Sequence, residues 1–183
     1  INFDYCDMYH LREKINEHML ASKFNIDADE ITLLTANADE IEGSNEEYLA
    51  LLDYITNTDL SNDNNFVYVK EQMDIHNYAL YQATEIYISN YDWPGSNIKY
   101  WKYPGGKWRW VLYDTDQGFG PRFDTDNYDT DALSLALEEN GPSWPNPPWS
   151  TLLFRRLVTN ISFRNTFINR SADELNSRFL PEA

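Results

Sequence analysis

The sequence predicts an α+β fold, mostly helical and built round one β-hairpin. Three observations predict it. Residues 97–103 (NIKYWKY) and 107–113 (KWRWVLY) are short runs rich in aromatic and β-branched types, and Pro104-Gly105-Gly106 between them is strong turn chemistry. Immediately upstream, Ile75, Tyr78, Ala79, Ala83, Ile86 and Tyr87 fall at helical spacing behind Asp74, a good capping residue. The remaining apolar residues fall largely into helix-length segments between polar connectors. At 183 residues the chain is long enough for one domain with a sizeable core and too short to demand two; aromatics at 15% supply interior mass.

Taken in order, residues 1–15 alternate loosely through Phe3, Tyr5, Tyr9 and Leu11, a strand pattern ending near Arg12-Glu13-Lys14. A short helix at about 15–23 and a strand at Ile31–Leu34 follow. Ser44-Asn45-Glu46-Glu47 is a capping-box pattern opening a helix over about 45–57, with Tyr48, Leu51, Leu52 and Ile55 on one face. Asp59–Asn65 is polar and loop-like; it starts like a calcium loop but lacks Gly at the turn and Glu at the twelfth position. The helix capped by Asp74 runs to Asn90 and delivers the chain into Asp92. After the hairpin, Phe123–Asp131 (FDTDNYDTD) gathers four Asp in a loop, either simply solvated or bridged by a cation such as Ca²⁺, because close carboxylates repel. A short helix over 132–139, an extended Pro-rich GPSWPNPPW, and two helices (Ser150 to about Asn160, then about 162–178) complete the chain. The last two bury Leu153, Leu157, Phe163, Phe167 and Leu175.

The hairpin's open end concentrates oxygen-bearing side chains. With Gly105-Gly106 as a two-residue loop, Asn97 faces Asp114 on one side of the hairpin, together with Lys99, Trp101 and Tyr103 and with Leu112, Trp110 and Trp108. Lys102 and Arg109 take the other side. Directly opposed residues lie roughly 4.5–5.5 Å apart, so an amide and a carboxylate converge there. A slip of one residue would exchange the faces and favour Asp116 over Asp114. Asp92 precedes this end and Asp116-Gln117-Gly118 follows it. Oxygen donors in that number suit Mg²⁺, which takes one or two carboxylates beside substrate phosphates.

Protein kinases use the same chain order: a D-x-x-x-x-N loop with a base Asp and a metal-binding Asn, a hairpin, then a D-x-G Asp on metal. Asp92-Trp-Pro-Gly-Ser-Asn97 has the loop spacing, and Asp116-Gln117-Gly118 the D-x-G form. The fold class is therefore that of a protein-kinase-like C-terminal lobe. Asp92 is assigned as catalytic base, Asn97 and Lys99 to cofactor binding, and Asn97, Asp114 and Asp116 to metal, with the choice between the two Asp residues open. At these residues the sequence resembles the spore-coat protein H (CotH) kinase-like family. The resemblance rests on NYDWPGSNIKYWK and KWRWVLYDTDQGFG and extends more loosely to MYHLREKINEHML and WSTLLFRRLVTNISFRNTFINR. It implies a secreted or surface-associated atypical kinase that uses ATP with Mg²⁺ or Mn²⁺ to phosphorylate Ser or Thr of a protein. Asp4 and Asp7 depart from the Gly residues usual in that family. There is no G-x-G-x-x-G loop and no V-A-I-K-like strand. The chain thus reads as one domain, the catalytic-side lobe of a larger kinase-like domain that continues upstream of Ile1, and binds nucleotide poorly alone.

Charge bounds the partners. Thirty acidic residues against 14 basic give −16, a field that repels nucleic-acid backbones and anionic membranes. ATP is an anion too, so metal ions and nearby Lys or Arg must reverse the potential at the site. Cys6 is alone, which excludes an intrachain disulfide, and no run of 18 apolar residues offers a membrane span. No His stands in a metal-ligand spacing, and neither G-x-S-x-G nor H-E-x-x-H occurs, so hydrolase and zinc readings lack support. Asn160-Ile-Ser162 and Asn169-Arg-Ser171 match a glycosylation pattern too common to locate the protein. The competing class is a non-catalytic surface or adhesion module, with acidic loops binding Ca²⁺ and with Trp144 and Trp149 gripping a protein or glycan.

Overall fold

The sheet has four antiparallel strands in the order β2-β1-β3-β4, and helices take about half of the described residues. The computed structural model describes residues 13–119, 130–139 and 146–180. Residues 1–12 of the strand expected over 1–15 and most of the acidic run 123–131 fall outside them, and residues 13–15 are not strand. Helix α1 (Glu17–Phe24) starts where Asn16 accepts from the Met19 amide at 3.0 Å, and a 3-10 turn at Ala28–Glu30 leads into β1 (Thr32–Thr35). Strand β2 (Asp39–Glu42) pairs with β1 through a turn in which Ala36 and Ala38 hold positive φ. Every residue of β2 is exposed. Its acidic DEIE sequence carries no core pattern, which is why the sequence reading passes over it; charge on an edge strand discourages further pairing.

Helix α2 (Glu46–Asn57) buries Tyr48, Leu51 and Ile55 on one face as predicted. Its capping box does not close. The Ser44 hydroxyl meets the Glu46 amide at 3.2 Å, while Glu47 pairs instead with Lys102. Asp59–Asn65 is not simply a loop, since α3 (Asp63–Gln72) begins inside it under an Asn62 cap. Two carboxylates of that run are engaged within the protein: Asp59 accepts from Ser61, and Asp63 accepts at 3.0 Å from Asn160, the cap of the last helix.

Asp74 does cap α4 (Ile75–Ile88), accepting from the Asn77 amide at 3.0 Å. The buried surface of this helix extends beyond the predicted apolar stripe and takes in Tyr81, Gln82 and Glu85. Strands β3 (Lys99–Lys102) and β4 (Arg109–Val111) form the predicted hairpin, but its register is one residue away from the prediction. Tyr100 opposes Trp110 and Trp101 opposes Arg109. The cause lies in the turn. Gly106 donates to the Tyr103 carbonyl at 2.9 Å, and Gly105 at the third position has φ +74. Pro second and a left-handed Gly third is type II turn chemistry. Pro104 is therefore consumed by the turn, and the loop has an odd length. Because side chains alternate with period two, that single residue exchanges the faces of β4.

Tyr100, Trp108 and Trp110 accordingly face the main core with Tyr48, Tyr78, Leu153, Leu157 and Phe163, drawn from α2, α4, α6 (Leu152–Leu157) and α7 (Ile161–Leu175). Trp101 and Leu33 face the opposite way, into a smaller core with Met19, Leu20 and Ile31 beneath α1. Lys102 lies on the main-core side and Arg109 with Lys99 on the other, its guanidinium 5.3 Å from the Phe24 ring centre. Both central strands are thus covered on two faces, and Trp101 is only 2% exposed. Helix α5 (Ala132–Leu137) is capped by Asp131, one of the four Asp in the acidic run, through Ser134. Ser150 caps no helix and bonds Asn146 and Pro147 instead. Of the residues predicted to bury the last two helices, Leu175 is half exposed. Asn160 is fully buried. It caps α7 and also donates to Leu60, so it is an architectural residue and not an accessible glycosylation site.

Candidate functional site

The end of α4, the loop after it and the segment after β4 are bound into one unit. Ser89 ends the helix in the left-handed region at φ +49. Two backbone bonds then tie the strands of loop together: Phe119 donates to Ile88 at 2.7 Å, and Tyr91 donates to Gln117 at 3.1 Å. Gly118 sits where an added Cβ would lie 3.2 Å from Ile88, so its role is close approach and not unusual backbone conformation. The loop is tight. Ser96 donates to the Asp92 carbonyl at 2.9 Å, Trp93 is buried, and the Trp93–Pro94 peptide is cis.

Asn97 and Asp114 both hold positive φ, +54 and +52, so each leaves the strand just beyond the paired region. Continued outward, the observed register would set Asn97 against Tyr113. The turned backbone nonetheless brings the predicted residues together. The Asn97 side-chain nitrogen donates to the Asp92 carboxylate at 3.4 Å and to the Asp114 backbone carbonyl at 3.5 Å. Asp92 and Asn97 are half-buried, whereas Asp114 and Asp116 are exposed. The one-residue slip of register is the case that favours Asp116 over Asp114, but the positive φ at Asp114 takes that residue out of the alternation, so register alone does not choose between them. Lys99 donates to the Ile15 carbonyl at 3.2 Å and lies 5.0 Å from the Tyr113 ring centre. Burial, with Lys14 adding repulsion, holds its pKa below the usual lysine range.

Two residues that sequence reasoning passes over sit directly beneath this loop. Glu85 is fully buried and accepts from the Asn90 side chain at 2.9 Å; Asn90 in turn accepts from the Asp92 amide at 3.3 Å. Burial raises the Glu85 pKa to about 7 against the opposing hydrogen bonds from Asn90 and Tyr81. The signal was present: Glu85 follows Tyr78 by two helical turns, on the buried face.

Among the described residues no three His, Cys, Asp or Glu side chains group as a metal site. The groups that meet at the loop are the Asn97 side-chain nitrogen, the Asp92 carboxylate and the Asp114 backbone carbonyl; the latter two are oxygens of the kind Mg²⁺ or Mn²⁺ takes beside phosphate oxygens. Trp149 packs against the main core, and Trp144 lies outside the described residues. Among the described residues no helix is long and apolar enough to cross a membrane. Comparison with known proteins gives one match over the whole chain: a family model described as CotH kinase protein, covering residues 1–183. No curated protein and no solved structure matches.

Proposed function

Because the chain belongs to the CotH kinase protein family, we propose that it forms the catalytic-side lobe of an ATP-dependent protein kinase. Its acceptor is a Ser or Thr hydroxyl on a secreted or surface protein. The observation that carries this reading is the meeting of the Asp92 and Asn97 side chains with the backbone of Asp114 at the hairpin's open end. Phosphoryl transfer asks little covalent chemistry of the protein; positioning and charge neutralisation supply most of the rate. Asp92, on a loop fixed at both ends, orients the accepting hydroxyl and takes its proton as the oxygen attacks phosphorus. Asn97, with Asp114 or Asp116 as the carboxylate, would hold a divalent cation against the ATP phosphates, and that cation would neutralise phosphate charge. Lys99 contributes positive potential beside them in an otherwise acidic protein.

Full-length protein incubated with γ-labelled ATP and Mg²⁺ or Mn²⁺ is expected to label a protein acceptor. Asp92→Ala and Asp114→Ala are expected to cut labelling by at least about a hundredfold, with the fold kept because Asp114 is exposed and Asp92 only half-buried. Retention of labelling in both variants overturns the assignment. Asp116→Ala, run beside them, shows which carboxylate carries the cation.

A further inference from the structure

We propose that Glu85 and Asn90 are positioning residues for Asp92, a buried pair that sets the direction in which its carboxylate enters the site. The inference rests on the kinase reading for its kinetic consequence, but the positioning itself stands on geometry.

Asn90 is 4% exposed and every polar group it owns is engaged. Two groups point back to the helix: its amide nitrogen donates to the Glu85 carbonyl at 3.3 Å, and its side-chain nitrogen donates to the Glu85 carboxyl at 2.9 Å. The other two point forward. Its carbonyl accepts from the Trp93 amide at 3.2 Å, and its side-chain oxygen accepts from the Asp92 amide at 3.3 Å. Asn90 is therefore the joint between a rigid helix and the loop, and Glu85 fixes the rotation of that joint.

Helix termination accounts for the backbone bond from Asn90 to the Glu85 carbonyl, but not for the two side-chain bonds of Asn90. Ser89 already ends α4 in the left-handed region, and its amide donates to the Ile86 carbonyl. Nor does stability explain them. A carboxyl taken fully out of water without an ion pair is costly, and the Asn90 side chain, donating at 2.9 Å, is set against that cost. A carboxyl buried at that cost calls for a reason beyond packing. Here the reason lies two residues away, at Asp92. A displacement of about 1 Å at a catalytic group can cost about a hundredfold in rate, so a loop bearing the base gains from a support that packing alone does not give.

The test uses the full-length protein and three variants. Glu85→Gln keeps an oxygen for Asn90 and offers Tyr81 a polar neighbour. Glu85→Leu removes the acceptor while filling similar space, and Asn90→Ala removes the joint. Hydrogen exchange at the Asp92 and Trp93 amides is compared with exchange at Ile55 and Val69 in the core. Expected is faster exchange by about tenfold or more at Asp92 and Trp93 alone in Glu85→Leu and Asn90→Ala. With it goes a fall in kcat of about ten- to a hundredfold, while KM for ATP stays within about threefold. Glu85→Gln stays within about twofold of wild type in both. Should Asn90→Ala not fold, Glu85→Leu carries the same two readouts. Unchanged exchange at Asp92 and Trp93 in a folded variant overturns the proposal, as does acceleration spread evenly through the core. If wild type transfers no phosphate, the kinase reading fails, and the exchange measurement alone decides the positioning.

Discussion

At the scale of the residue, Glu85 makes a pH-dependent stability prediction of its own. Its ordinary pKa is 4.5, and burial raises it to about 7 in the folded protein. Between those values the folded chain holds a proton that the unfolded chain has lost. The stability this represents is full below about pH 4.5 and is lost as pH rises through about 7, roughly 3 kcal/mol in all. The titratable groups facing Glu85 are the Tyr81 hydroxyl from its own helix and Tyr113 beyond β4; burial raises both, so neither titrates in this window. Glu85→Gln should therefore flatten the decline. Thermal melts at pH 5.5 and 8.5 should show wild type losing more than the variant, with the variant the more stable at pH 8.5. The two proteins differ at this residue alone, so the difference between their curves isolates Glu85. Parallel curves would mean that Glu85 ionises normally.

At the scale of the element, what the sequence revealed was apolar periodicity, and what it hid was polar geometry. Helix α4, its Asp74 cap and both hairpin strands follow from residues whose spacing and chemistry act locally. The register did not, because Pro104 could end a strand or begin a turn, and local sequence allows both. Strand β2 and helix α3 were missed for a related reason: β2 buries nothing, and α3 buries only Phe66 and Val69. At the site, the D-x-x-x-x-N spacing announced Asp92 and Asn97. Asn90 and Glu85 looked like ordinary polar helix residues. Another such residue, Asn77, makes a prediction. β4 lies at the sheet edge, and the Asn77 side chain binds its backbone as a partner strand would. It accepts from the Trp110 amide at 2.6 Å and donates to the Trp110 carbonyl at 3.1 Å. Asn77→Ala leaves two half-buried backbone groups without these bonds, at roughly 1–3 kcal/mol. Denaturant unfolding should show that loss with an unchanged slope, and hydrogen exchange should place the earliest opening at β4. A loss below about 0.5 kcal/mol would mean that water replaces the side chain freely.

At the scale of the whole molecule, the decisive quantity is the charge of −16. Salt acts on it in two directions. Screening weakens ion pairs such as Lys23–Glu13 and Arg155–Glu139, but exposed pairs are worth only about 0–1 kcal/mol each. Screening also relieves the mutual repulsion of an acidic surface, which presses on the compact state more than on the open chain. With acidic residues outnumbering basic ones by 30 to 14, the second effect wins. The melting temperature should rise as NaCl goes from about 20 to about 300 mM, over which the Debye length falls several-fold. That same background is what a cation site must be distinguished from. Mg²⁺ at matched ionic strength should raise the melting temperature beyond the NaCl value, because binding to the folded state adds a mass-action term that screening lacks. The excess should vanish in Asp114→Ala if Asp114 is the ligand, or in Asp116→Ala if its neighbour is. Coincident Mg²⁺ and NaCl curves in wild type would leave the hairpin end without a divalent cation of its own, and the phosphoryl-transfer reading would then need the metal to arrive already bound to ATP.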